Sequence, residues 1–178
     1  MKLYAYALAL TCSLFSNLSA KQLNVGDKAP DFTLKNDLDV DCSLHDFSGK
    51  KVVLYFYPKD NTPGCTKEAC SLRNDYEVFE KNGITVLGVS YDSVASHQKF
   101  KKEHRLPFTL LSDSSKKVAK LYGAASTWLF FFTAPIPSRK TFLIDEKGLI
   151  VTVFKNVDVV NHAQEILKAF GIQAADKK

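Results

Sequence analysis

Two apolar stretches, separated by an amphipathic segment, most constrain how this chain can fold. The first, KVVLYFYP at 51–58, is rich in β-branched and aromatic residues and ends at Pro58. The second, ITVLGVSYD, follows at 84–92. Runs of this kind are typical of strands that are buried on both faces of a sheet.

The segment between these strands, TKEACSLRNDYEVFEKNG at 66–83, predicts a single helix that ends at a C-cap on Gly83. Its apolar positions recur at helical spacing, at Ala69, Leu72, Tyr76 and Phe79.

The rest of the chain continues the alternation. The pattern predicts helices at 93–104, 114–123 and 158–170, a short strand at 108–113 and a hairpin at 140–154. There is no internal repeat and no second domain boundary in the pattern. The sequence therefore predicts one α/β domain with a mixed central sheet flanked by helices.

Composition excludes some classes of function. The net charge of +5 is modest and the Lys and Glu residues are interspersed, which argues against a nucleic-acid-binding stripe. The four histidines show no ligand spacing with one another or with the cysteines, so no metal site is expected.

Residues 1–20 have the features of a secretory signal peptide: Lys2, an apolar run over Leu3–Phe15, and small residues up to Ala20. The apolar run is too short to span a bilayer comfortably. We expect cleavage after Ala20, export of the domain at 21–178 to the periplasm or cell envelope, and no stable membrane insertion. The alternatives are an uncleaved anchor or a core helix, and a cytoplasmic protein.

Cleavage would remove Cys12 and leave three cysteines, Cys42, Cys65 and Cys70. An odd number argues against a disulfide framework and for at least one thiol with its own chemistry. We expect Cys42 to be a small, half-buried strand residue, with formation of mixed disulfides as the alternative.

Cys65 follows a helix-start pattern. Thr62 is a good N-cap and Pro63 suits the first helical position, while Gly64 allows close approach to the backbone. Cys65 then lies in the first turn, where unpaired N–H groups and the helix dipole favour a thiolate. The alternative is a buried, inert cysteine.

Cys70 lies five residues further along the same predicted helix. On an ideal helix this places the Cα atoms of Cys65 and Cys70 roughly 8.6 Å apart, whereas a disulfide needs about 4.4 to 6.8 Å. The two sulfurs can therefore bond only if the helix unwinds. This suits a cysteine that is oxidised first and then resolved by a mobile partner.

The segment FYPKDNTPGCTKEACSLRND resembles the active-site segment of the peroxiredoxins, specifically the bacterioferritin comigratory protein or PrxQ subfamily. Pro58, Thr62 and Cys65 match the PxxxTxxC pattern of the family, and Cys70 matches the resolving position of the subfamily. The similarity extends from Val25 to the terminal helix.

Charged residues extend the resemblance. Arg139, in PSRKTFLID, matches an arginine that precedes a strand in the family, and Glu68 matches an acidic residue three positions after the cysteine. Glu68 and Arg73 either help to orient this arginine, as similar groups do in the family, or form an ordinary pair on one helix face.

The resemblance implies a thioredoxin-like fold and the reduction of hydrogen peroxide and organic hydroperoxides by thiols, as antioxidant defence. Cys65 would become a sulfenic acid, and Cys70 would condense with it to a disulfide. A thioredoxin-like protein or a small thiol would reduce that disulfide. No cofactor is needed, and we expect a monomer, with a dimer as the alternative.

The resemblance also implies roles for the neighbours of Cys65. Arg139 would stabilise the thiolate and the charge on the departing oxygen, the Thr62 hydroxyl would hydrogen-bond the peroxide or the sulfur, and Pro58 would exclude water. Each has a structural alternative: a cap at Thr62, a strand end at Pro58 and a solvated charge at Arg139.

The stretch 122–139 departs from the family, because it is unusually apolar for a loop that leads to the arginine. Trp128 to Phe132 either packs over the core or forms an exposed patch for bulky hydroperoxides, a second subunit or a membrane surface.

Two rival functions remain. A thiol–disulfide oxidoreductase of the same fold class predicts CxxC at the strand–helix junction, whereas this chain has CxxxxC followed by Arg139. A non-catalytic, redox-sensitive envelope chaperone predicts no consumption of peroxide beyond that of free thiols.

Overall fold

The computed structural model describes residues 22–125 and 137–173 of the 178-residue chain. The predicted signal peptide at 1–20 and the aromatic segment from Trp128 to Phe132 lie outside these ranges, so both interpretations stay predictions.

The described residues form a sheet with helices on its two faces. The strands are β1 (Thr33–Asn36), β2 (Asp41–Ser43), β3 (Lys51–Phe56), β4 (Ile84–Ser90), β5 (Thr109–Ser112), β6 (Lys140–Ile144) and β7 (Ile150–Phe154). The helices are α1 (Pro63–Asn74), α2 (Tyr76–Lys81), α3 (Val94–His104), α4 (Lys117–Leu121) and α5 (His162–Ala169), with a short 3-10 helix at Leu44–Phe47. None of these helices has the length and apolar character needed to cross a membrane.

The sheet has the order β2-β1-β5-β4-β3-β6-β7. Strands β3, β4 and β5 pair in parallel, and the other pairs are antiparallel. The predicted α/β fold with a mixed sheet is therefore confirmed.

Strand β3 lies between two cores because successive side chains point to opposite faces of the sheet. Val53 and Tyr55 join a cluster with α1, α2, α3 and α5. Leu54 and Phe56 join the cluster on the other face, which includes residues of α4. The prediction of a strand buried on both faces is confirmed.

The prediction of a single helix over 66–83 is wrong, because the helical path breaks at Asp75 before α2 begins. The start is as predicted, with Thr62 at the N-cap position and Pro63 as the first residue of α1. Asn and Asp are weak helix formers, because their side chains bond the backbone in other conformations. Here the Gln164 side chain also donates to the Asp75 carboxylate at 2.7 Å, and the break lets α2 bury Phe79.

The hairpin of β1 and β2 was not predicted, because strands of four and three residues carry little periodicity. Cys42 lies in β2, as expected for a strand residue, but it is buried rather than half-buried. Burial, with the charges of Asp46 and Asp37, raises the pKa of the Cys42 thiol, which keeps it in the less reactive form.

Candidate active site

The register of β3 and β6 brings two distant parts of the sequence to one edge of the sheet. Phe56, the last residue of β3, pairs with Lys140, the first residue of β6. Because the strands are antiparallel, Arg139 emerges where β3 ends and the chain turns toward Cys65. This is the carboxyl edge of the parallel strands, where open α/β sheets place their ligands.

Cys65 lies in the first turn of α1, which holds no acidic side chain. Its side chain is 2% exposed. The N-terminal N–H groups and the dipole of α1 therefore face no competing negative charge within that turn.

The guanidinium of Arg139 joins the two acidic groups of the site. Its Nη2 donates to Cys65 Sγ at 3.4 Å, and its Nη1 forms an ion pair with Glu68 Oε2. Burial disfavours the charged guanidinium, but Glu68 and Cys65 outweigh it and raise the pKa of Arg139. The arginine is thus a permanent cation in contact with the sulfur.

Glu68 is fully buried beside this arginine. Burial raises the pKa of its carboxyl to about 7, although Arg139 acts in the opposite direction. The upward shift of this pKa agrees with the hydrogen bonding of Glu68, because its Oε1 has no partner among the described residues. Glu68 can therefore change its protonation state near neutral pH.

Gly64 provides the space for this arrangement. A Cβ atom at this position would lie 3.3 Å from Arg139 Nη2. A side chain here would push the guanidinium, so the absence of one lets Arg139 lie against the start of α1.

Thr62 occupies the N-cap position with extended backbone angles, but its side chain accepts no hydrogen bond from the helix. Its hydroxyl instead donates to the Lys59 carbonyl at 2.9 Å, so the predicted capping interaction is wrong. Its oxygen keeps the capacity to accept a hydrogen bond. Pro58 is half-buried, two residues after the end of β3.

Cys70 is half-buried further along α1, and both cysteines are free thiols in this structure. The helix is continuous from Pro63 to Asn74, so the spacing inferred from an ideal helix applies. The reduced, helical form and a Cys65–Cys70 disulfide therefore exclude one another.

Arg73 lies in α1 but makes its contacts elsewhere. Its guanidinium donates to the His104 carbonyl at 2.7 Å and to the Asn74 side chain. The alternative in which Glu68 pairs with Arg73 is not formed, since the ion pair of Glu68 is with Arg139.

Within residues 22–125 and 137–173, no group of three His, Cys, Asp or Glu side chains could hold a metal ion. The chemistry available at this edge of the sheet is that of a thiol, a guanidinium and a carboxyl group.

Comparison with known proteins identifies the family. The AhpC/TSA family pattern matches residues 25–153, which include every residue of the site described above.

The chain belongs to the AhpC/TSA family.

Relatives within this family carry peroxiredoxin names. A putative peroxiredoxin bcp from Coxiella burnetii is 49% identical over 146 residues, which cover 82% of this chain and 97% of that protein. A chloroplastic peroxiredoxin Q from Triticum aestivum is 46% identical over 148 residues, 83% of this chain and 66% of that protein. The resemblance to the bacterioferritin comigratory protein or PrxQ subfamily is confirmed.

Solved peroxiredoxin structures have the same fold. The chain superposes on a mutant PrxQ from Xylella fastidiosa with a TM-score of 0.79 and 34% identity, over 85% of this chain and 97% of that one. Peroxidoxin BcpB from Mycobacterium tuberculosis gives a TM-score of 0.77 and 31% identity, over 86% and 100%. The thioredoxin-like fold and a thiol-dependent peroxidase activity are thereby confirmed at the level of the family. The rival reading as a thiol–disulfide oxidoreductase is not favoured.

One hydrogen-bonded group of residues in this peroxiredoxin was not predicted from the sequence. Asp60, in the loop before Cys65, forms buried contacts with Tyr57, next to the end of β3, and with His97 of α3, and a part-buried contact with Ser96 of α3. A signal was present in the sequence, because His97 takes a core-facing position three residues before the buried Phe100.

Proposed function

We propose that this peroxiredoxin reduces peroxides with Cys65 as the attacking thiolate and Cys70 as the thiol that resolves the product. The single observation that carries the proposal is the contact of Arg139 with both the Cys65 sulfur and Glu68. A fixed cation beside a buried sulfur at a helix N-terminus stabilises negative charge on that sulfur.

The first step oxidises Cys65 and cleaves the peroxide. The Cys65 thiolate attacks the terminal oxygen of the hydroperoxide, an S–O bond forms and the O–O bond breaks. The departing oxygen leaves as an alkoxide or hydroxide that takes a proton from water, and Cys65 becomes a sulfenic acid. Arg139, at 3.4 Å from the sulfur, is positioned to stabilise the charge that moves onto the departing oxygen.

Thr62 and Pro58 complete the surroundings of the peroxide. Because the Thr62 hydroxyl donates to the Lys59 carbonyl, its oxygen would accept a hydrogen bond from the peroxide O–H rather than donate one to the sulfur. Pro58 carries no N–H donor and is half-buried at the strand end, which suits a role in excluding water.

The second step requires α1 to unwind. The Cys70 thiol displaces water from the sulfenic acid of Cys65, so that an S–S bond forms and the S–O bond breaks. The contacts of Cys65 and Glu68 with Arg139 must be lost when this segment leaves the helical form. An external dithiol then reduces the disulfide and α1 re-forms.

The reductant follows from the compartment. If residues 1–20 act as a signal peptide, the domain works outside the cytoplasm, and we propose an envelope thioredoxin-like protein or a small thiol as electron donor. In a cytoplasmic form, thioredoxin would take this role. The protein would act in antioxidant defence as a monomer.

The test is a single-turnover reaction of the reduced domain with one equivalent of hydrogen peroxide, followed by mass and rate. We expect the loss of two hydrogens, at a rate far above that of free cysteine. Cys70→Ser should instead stop at a sulfenic acid on Cys65, which a dimedone adduct would reveal.

Cys65→Ser tests the assignment of the attacking thiolate, and Cys42→Ser is its matched control. Cys65→Ser should abolish the fast reaction, whereas Cys42→Ser should react like the wild type because Cys42 lies buried in β2. Fast turnover in Cys65→Ser, or its loss in Cys42→Ser, would contradict the assignment of Cys65.

A further inference from the structure

The carboxylate of Asp60 is buried among three hydrogen-bond donors. Oδ1 accepts from the Tyr57 hydroxyl at 2.7 Å, and Oδ2 accepts from Ser96 Oγ at 2.7 Å and His97 Nδ1 at 2.9 Å. The side chains of Asp60 and His97 are 2% and 0% exposed. Burial raises the pKa of Tyr57 well above its usual value, so this hydroxyl keeps the proton that it donates.

The backbone around Asp60 is held by further contacts. The Asp60 N–H donates to Asp92 Oδ2 at 2.9 Å, in the turn before α3. Asn61 has a left-handed φ of 55°, and its side chain bonds Glu103 Oε2 at 2.9 Å and His104 Nε2 at 3.1 Å. Two consecutive loop residues are therefore bound to α3 and its N-terminal turn.

These contacts lie directly before the reacting turn. Thr62 follows Asn61, and its hydroxyl bonds back to Lys59 across the same loop. The position of this loop thus sets where Thr62 and the first turn of α1 lie relative to Arg139. Helix α3 supplies none of the groups that we assign to the peroxide reaction, yet it holds the loop that carries them.

A buried acid–base pair is weak evidence for a gain in stability, because apolar residues of the same volume often fold as well. A fixed geometry is a better explanation for its presence here. Reactions between bound groups are sensitive to position, and a misplacement of about 1 Å can slow them about 100-fold.

We propose that Asp60 and His97 are positioning residues for the peroxide step: by binding the loop 58–62 to α3, they hold Thr62 and Cys65 in register with Arg139. The inference rests on the proposed role of Cys65. It assigns no contact with substrate to Asp60 or His97 themselves.

Three variants test the pair. Tyr57→Phe removes one hydroxyl donor from Asp60 and keeps the buried ring, so it is the variant with the smallest effect on folding. His97→Leu removes the imidazole donor, and His97→Gln restores an N–H donor of similar length. The control is His45→Leu, because His45 makes a matching contact with Asp31 at 2.8 Å but lies at the surface.

Two rates are measured on each reduced variant: oxidation of Cys65 by hydrogen peroxide, and its alkylation by iodoacetamide. Alkylation reports only the thiolate and its access, whereas peroxide reduction also needs the surrounding groups in place. We expect Tyr57→Phe and His97→Leu to slow the peroxide reaction about tenfold or more. Alkylation should stay within about twofold of the wild type or rise.

His97→Gln should recover most of the peroxide rate, and His45→Leu should match the wild type in both reactions. A parallel fall of both rates in Tyr57→Phe and His97→Leu, following their loss of thermal stability, would show a merely structural role and overturn the proposal. An unchanged peroxide rate in these variants would also overturn it. Failure of the proposed function looks different, since a wild-type protein no faster than free cysteine would refute the role of Cys65 and this inference with it.

Discussion

The two buried carboxylates on either side of Cys65 are satisfied to different degrees. Asp60 accepts three hydrogen bonds, on both of its oxygens. Glu68 pairs through one oxygen with Arg139, and its other oxygen has no partner among the described residues. A fully bonded buried group resists movement, whereas a partly bonded one is held weakly. The chain thus places a fixed contact before the reacting cysteine and a releasable one after it.

The difference matches what the proposed cycle demands. Residues between Cys65 and Cys70 must leave the helix, and Glu68 lies among them. The loop around Asp60 lies outside that segment and can keep its contacts with α3. Reduced α1 is therefore expected to unwind from the Glu68 side while its entrance stays in place.

The largest expected effect is on the free energy of unfolding, which should fall more when Asp60 is replaced than when Glu68 is replaced. Asp60→Ala removes the carboxylate from the buried side chains of Tyr57 and His97 and from the half-buried Ser96, so we expect it to lower the free energy of unfolding by about 3–5 kcal/mol. Glu68→Ala should lower it by only about 1–2 kcal/mol, because the Arg139 side chain is 21% exposed and can reach water. Urea unfolding of both reduced variants measures this, and equal losses would remove the distinction.

The second effect is on the rate of the peroxide step, and it comes from Arg139, the ion-pair partner of Glu68. Arg139→Met removes the cation beside the sulfur, so the peroxide step should slow about 10²–10³-fold. The matched control is Arg73→Met, whose guanidinium contacts His104 and Asn74 instead. Stopped-flow oxidation of the reduced proteins gives both rates. A comparable loss of rate in Arg73→Met would show that Arg73 also contributes to the peroxide step.

The third effect is on pH dependence. Burial raises the pKa of Glu68 to about 7 in the folded, reduced protein, above its ordinary value of 4.5. The folded state therefore binds more protons than the unfolded state between these values, and its stability falls as pH rises. From about pH 5 to about pH 6.5, this one group should lower the free energy of unfolding by about 2 kcal/mol.

Glu68→Gln provides the control for that slope, because its amide cannot titrate. Urea unfolding of the wild type and of Glu68→Gln across the same pH range isolates the contribution of Glu68. Parallel pH profiles would mean that the carboxyl stays ionised throughout, and that Glu68 is as firmly held as Asp60.

The smallest effect comes from Gly64→Ala. The added methyl would lie 3.3 Å from Arg139 Nη2 and move the guanidinium by a few tenths of an ångström. We expect a loss of about two- to fivefold in the peroxide rate, with a slight gain in stability since Ala favours helix. Lys67→Ala, at an exposed position in the same helix, should leave the rate unchanged. A slower Lys67→Ala would show that α1 itself, rather than Arg139, had been disturbed.

The sequence by itself determined the elements with strong local signals. The two apolar runs that form β3 and β4 predicted buried strands, and Thr62, Pro63 and Gly64 marked the start of α1. The spacing of Cys65 and Cys70 followed from helix geometry alone. These features depend on residues that are close together along the chain, so they can be predicted from the sequence.

Only the tertiary structure decided which charged groups meet. Glu68 could pair with Arg73 on its own helix, but the register of β3 with β6 carries Arg139 to it from 71 residues away. In the same way, α3 brings His97 to Asp60 across 37 residues. Asp75, where the helical path breaks, likewise contacts Gln164 of α5. Side-chain pairing across a sheet edge is set by register and packing, which residue spacing does not encode.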